Sequence, residues 1–72
     1  MENKRKTKLY VKNFPSHMKE ENLKEIFIDS KEIKIVRNYA IVEFNSEEDA
    51  LNALNSKKNM DIYDLKLHVE FY

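Results

Sequence analysis

Seventy-two residues allow one domain, and a chain this short needs an economical core, because it buries only about 60% of its unfolded surface. It contains no cysteine and no glycine, which excludes disulfide staples, thiolate metal sites and the glycine-rich loops that cradle phosphates. Thirteen basic and thirteen acidic residues cancel to a formal net charge of zero, without the basic excess usual in a nucleic-acid-binding domain.

The charges are nevertheless unevenly placed. Residues 1–8 carry Lys4, Arg5, Lys6 and Lys8 against Glu2, and we read them as a flexible basic arm ahead of a single domain over 9–72. Acids gather in 20–32 and again at Glu47, Glu48 and Asp49, so the surface is polarised and steers an anion to one side. The opening MENKRKTK has no apolar stretch behind its charges, which predicts no signal peptide. No apolar run approaches the roughly 18 residues of a membrane span. A soluble, intracellular domain in a reducing compartment is the expectation. Without glycine, the eight asparagines are the natural residues for turns that need positive φ.

In chain order, LYVKNF (9–14) alternates as a strand and Pro15 ends it. From about Lys19 the period becomes helical, with Leu23, Ile26 and Phe27 on one face and Met18 positioned as a hydrophobic staple. EIKIV (32–36) reads as a second strand of open register, and YAIVEF (39–44) as a third. Between them Arg37-Asn38 makes a two-residue hairpin, with Asn38 as the residue expected to take positive φ. Ser46-Glu47-Glu48-Asp49 is shaped like a capping box for a second helix, whose inner face is Ala50, Ala53 and Leu54. NSKKNMDIYD (55–64) is expected to be a loop pinned by Met60 and Ile62. KLHVEFY (66–72) alternates as a closing strand, with Leu67, Val69 and Phe71 inward.

The order is βαββαβ, an α+β class chain. The expected architecture is a ferredoxin-like sandwich: a four-stranded antiparallel sheet, two helices on one face, and the first and third strands adjacent at its centre. If Leu9, Val11, Ala40, Val42 and Phe44 face the helices, the open face carries Tyr10, Lys12, Arg37, Tyr39, Ile41, Glu43, Lys66, His68 and Glu70. Tyr72 has the parity to extend it. Two exposed tyrosines in mid-sheet suit stacked bases, at about 1–3 kcal/mol per base, and Arg37 with the lysines suits phosphates.

These residues carry a resemblance. LYVKNF is similar to the first-strand motif of the RNA recognition motif family, and RNYAIVEF (37–44) matches the eight-residue third-strand motif at five of its seven specified positions. The likeness runs from Leu9 to Phe71. It implies Tyr10 and Tyr39 as base-stacking platforms and Arg37 as a phosphate contact. The short second connection and DIYDLKLHVEF look most like the first such domain of serine/arginine-rich splicing factors and related messenger-RNA-binding proteins, although no arginine/serine-rich tail is present. Ile41 stands where the family has an aromatic, which subtracts one stacking surface. Asn38 stands where it has glycine. Glu43 and Glu70 oppose a polyanion, so modest affinity and a shallow salt dependence are expected.

The implied partner is single-stranded RNA, about two to four nucleotides of it, in splicing or messenger-RNA processing, with a nuclear or nucleo-cytoplasmic location and a monomeric state. The alternative is a protein-interaction module using the acidic helical face or a modified sheet, although DIYDL lacks the arginine of the family's known peptide-binding loop. The plain alternatives residue by residue are a tyrosine resting on a tail or partner, a solvated turn arginine at 37, and a merely charged terminus at Lys4–Lys8. His17 and His68 lie far apart without paired ligands, so no metal or cofactor is expected. No nucleophile–base pair or apolar pocket suggests an enzyme.

Overall fold

The computed structural model describes residues 6–62 and 64–72, so Lys4 and Arg5 of the expected arm lie outside the described residues. Four strands and two helices follow from the alternation and helical periods already noted, and one further two-stranded hairpin was not expected. The elements are β1 (Lys8–Lys12), α1 (Glu20–Ile26), β2 (Ser30–Val36), β3 (Tyr39–Phe44), α2 (Glu47–Lys57), β4 (Asp61–Ile62), β5 (Leu65–Lys66) and β6 (His68–Phe71). β2, β3, β1 and β6 form one antiparallel sheet in that order, with β3 and β1 at its centre. This is the ferredoxin-like arrangement expected from the order of elements.

Local chemistry sets the helix ends. α1 starts where the Lys19 N–H donates to Asn22 Oδ1 at 2.9 Å, satisfying one of the donors that a helix N-terminus leaves open. α2 is capped by Ser46, whose Oγ accepts from the Asp49 N–H at 3.1 Å, and Glu47, Glu48 and Asp49 in its first turn complement the helix dipole. Lys24 on α1 reaches over to the Ser30 carbonyl and, at 3.3 Å, to its hydroxyl. That fixes the start of β2, two residues earlier than the apolar pattern indicated.

The core lies between the sheet and the helices. Leu9 and Val11 of β1, Ala40, Val42 and Phe44 of β3, Ile33 of β2 and Val69 of β6 are buried against Leu23, Phe27 and Ala50 from the helical side. The Phe27 and Phe44 rings meet edge-on with centroids 6.3 Å apart. Met18 is half-buried against this cluster, as a staple residue should be. Small Ala50 lets α2 sit close to the sheet.

Three expectations are corrected. In the β2–β3 turn it is Arg37, at φ 56°, that takes the left-handed conformation, and Asn38 does not. The other described positive-φ residues are Asn13, Asn59 and Asp64, the residue types that tolerate it best. Segment 55–64 is not one loop, because α2 continues to Lys57 and Asp61–Ile62 then pairs with Leu65–Lys66. Consequently Lys66 belongs to this hairpin, and the sheet strand begins at His68. Its backbone does not wander freely: the Asn13 side chain donates to the Lys66 carbonyl at 2.6 Å, and Leu67, fully buried, exchanges hydrogen bonds with Asn59 and Met60.

Candidate nucleic-acid interface

Strand register turns the open face into three rows of side chains. Pairing of β1 with β3 sets Tyr10 opposite Ile41, Lys12 opposite Tyr39 and Lys8 opposite Glu43. β6 adds Glu70 beside Tyr10 and His68 beside Lys12. β2 adds Lys34 beside Ile41, Val36 beside Tyr39 and Glu32 beside Glu43, after a one-residue register shift between Ser30 and Glu32. The middle row is therefore Lys34, Ile41, Tyr10, Glu70. The row toward the β2–β3 turn is Val36, Tyr39, Lys12, His68.

Tyr10 and Tyr39 are diagonal neighbours on the two central strands, the spacing at which aromatic side chains still meet. Their ring centroids are 5.0 Å apart with planes tilted by 43°, and both rings are half-buried. Lys12 Nζ sits 5.7 Å from the Tyr10 ring centroid, within cation–π range. His68 Nε2 and Glu70 Oε2 are 3.5 Å apart on the exposed edge. Ile41 lies beside Tyr10 and gives the middle row an aliphatic patch where a third ring would complete the platform.

Two clefts flank the tyrosines. The one toward the β2–β3 turn, about 560 Å³, is lined by Lys12, Asn13, Phe14, Asn38, Asn59, Lys66, Leu67 and His68. Lys66 thus reaches the same surface from the β4–β5 hairpin, although its Nζ also pairs with Asp61 at 3.1 Å. The other cleft, about 440 Å³, is lined by Lys8, Glu32, Lys34, Val36, Tyr39, Ile41, Glu43 and Tyr72. Tyr72 is held there by its N–H donating to the Lys8 carbonyl at 3.0 Å, and its side chain is exposed.

Of the expected site residues, the structure brings Tyr10, Lys12, Tyr39, Ile41 and His68 onto one face, with Tyr72 at its far border. Lys66 was expected on the sheet and lies instead in the added hairpin, while Arg37 is exposed in the β2–β3 turn, where the hairpin reading put it, next to the open face. Lys34, Asn13 and Asn59 also line these clefts, beyond the residues expected there. Lys34 was within reach, since Ile33 and Ile35 facing inward put it outward; the asparagines were not, because their placement depends on positive-φ turns.

The chain at residues 9–68 matches the model of the RNA recognition motif family. The chain belongs to this family. As an RNA recognition motif it is 36% identical over 70 residues to nucleolin of Xenopus laevis and 39% identical over 70 residues to nucleolin of Gallus gallus. Each match covers 88% of this chain but only 11% and 10% of those proteins. Among solved structures, the RNA recognition domains of Drosophila melanogaster Sex-lethal superpose with a TM-score of 0.85 at 25% identity, over 90% of this chain and 48% of theirs. The RNA-binding domains of a yeast splicing factor superpose at 0.86 over 93% of this chain and 31% of theirs; at 21% identity they speak for the fold alone. Both of these sequence relatives are nucleolins. Among the described residues no group of three metal-ligating side chains comes together, and no helix is long and apolar enough to cross a membrane.

Proposed function

We propose that this RNA recognition motif binds single-stranded RNA across its open sheet face. The observation that carries this reading is the Tyr10–Tyr39 pair, two half-buried rings in contact at the centre of the sheet face opposite α1 and α2. Stacked bases would extend over these rings, with Lys12 and His68 beside them and Arg37 and Lys66 approaching from the adjoining turn and hairpin. With Ile41 in place of a third ring and acids at Glu43 and Glu70, the affinity is modest and the footprint about two to four nucleotides. Lys4, Arg5 and Lys6 are proposed to track phosphates, on their charge alone.

The Sex-lethal domains are named for RNA recognition, which supports the same ligand class here. A role in splicing or messenger-RNA processing, a nuclear or nucleo-cytoplasmic location and a kinship with the first domain of serine/arginine-rich factors are part of this proposal; the short β2–β3 connection supports the last. The test is fluorescence anisotropy with a labelled, degenerate RNA hexamer, comparing the chain with Tyr10→Ala/Tyr39→Ala. Saturable binding that the double substitution weakens at least tenfold, at the stacking value per base, is expected; equal affinity with an intact fold would overturn it.

A second reading, a protein contact on the helical side, is favoured by Ile28, 72% exposed, and Leu51, 46% exposed, near the acids of α1 and α2. It predicts capture of a protein partner that Ile28→Ser or Leu51→Ser abolishes.

A further inference from the structure

The two clefts beside the tyrosines differ in chemistry. The cleft toward the β2–β3 turn offers Lys12, Lys66 and His68 among three asparagines, a set of donors suited to phosphate oxygens. The other sets two carboxylates, Glu32 and Glu43, directly across from one another on β2 and β3. Like charges in that position destabilise a strand pair. Lys8 lies across from Glu43 on the other side, yet the ion pairs among the described residues are Lys66–Asp61 and His68–Glu70, and neither Glu43 nor Lys8 joins one. Glu43 is nonetheless half-buried, over a floor that includes Ile41 and between borders that include Tyr39 and Tyr72. An acceptor and a donor thus stand side by side, unspent on each other, at the edge of an aromatic-walled cleft.

We infer that this cleft reads a guanine base, with Glu43 accepting from its N1–H and N2–H and Lys8 donating to its O6. The inference rests on the proposal that the sheet binds single-stranded RNA and deepens it. Guanine presents two adjacent donors next to an acceptor along its Watson–Crick edge, the pattern that a carboxylate beside an ammonium complements by charge-assisted hydrogen bonds. Adenine and cytosine offer the carboxylate one amino donor next to a ring-nitrogen acceptor. Uracil sets its single N–H between two carbonyl oxygens, which a carboxylate repels. Glu43, an acid on an RNA-binding face, therefore selects the base, while the lysines and histidine at the opposite cleft take the backbone.

The experiment is fluorescence anisotropy on the whole chain with labelled hexamers UUUNUU, where N is guanine, inosine, adenine, cytosine or uracil. Guanine is expected to bind about tenfold tighter than uracil, the value of one good bidentate contact, and inosine, which lacks the N2 amino group, to fall between. Glu43→Gln, close in shape and on the surface, is expected to bring guanine to within about twofold of uracil while uracil binding tightens through loss of a negative charge. Equal affinity for guanine and uracil, or an undiminished guanine preference in Glu43→Gln, would overturn the inference and leave sheet binding standing. Failure of every hexamer and of the degenerate pool to bind would overturn both.

Discussion

Ile41 and Val42 are consecutive residues of β3 with opposite circumstances. Val42 is fully buried against the helices, while Ile41 is half-buried on the open face beside Tyr10. The same contrast runs through the whole sheet. One side holds aliphatic residues and Phe44, with buried Ser30 at its margin satisfied by Lys24; the other alternates rings, lysines and carboxylates in rows. The inner side explains why the chain folds. The outer side, with two tyrosines in contact and like charges face to face, is not what stability alone would select, and the RNA proposed to bind there would account for its composition.

The contrast breaks most sharply on the inner side. Phe44→Ala is expected to cost about 3–5 kcal/mol, against a total of roughly 4–11 kcal/mol for a domain of this size. Urea denaturation should show the midpoint falling by a large fraction, with RNA binding lost only because the folded population is. Next comes the outer side. Tyr39→Ala should weaken RNA binding by about 1–3 kcal/mol and lower stability by no more than about 1 kcal/mol, the value of the ring pair. Anisotropy and urea curves on the same samples separate the two effects.

Most of this division was legible in the sequence. Alternation in LYVKNF and YAIVEF assigned both faces of β1 and β3, because a period of two leaves no other register for Leu9, Val11, Val42 and Phe44 once one face is buried. What escaped the sequence was whatever depends on tertiary hydrogen bonds. The β4–β5 hairpin is held by Leu67 bonding to Asn59 and Met60 and by Asn13 bonding to Lys66, long-range contacts with no local pattern. Likewise the positive φ fell to Arg37 and not to Asn38, since a two-residue turn closing on the Val36–Tyr39 pair can place its positive φ at its first residue alone.

Two smaller effects sharpen the comparison. Ile41→Phe restores an aromatic to the middle row and should tighten RNA binding by about 1 kcal/mol, the low end of one stacking contact, with stability little changed. Arg37→Gly relieves the left-handed conformation of a residue with a Cβ and should raise stability by up to about 1 kcal/mol. The same substitution should slightly weaken RNA binding, by removing a cation next to the platform. A variant more stable yet poorer at binding would show at one residue that the outer side is shaped by its ligand.

The most direct test of the central claim is an NMR titration with a degenerate pool of short single-stranded RNA, mapping amide shifts along the chain. The account predicts the largest shifts at Tyr10, Lys12, Tyr39, Ile41 and His68, with smaller ones at Arg37 and Lys66. Shifts confined to α1 and α2, or none at saturating RNA, would contradict it.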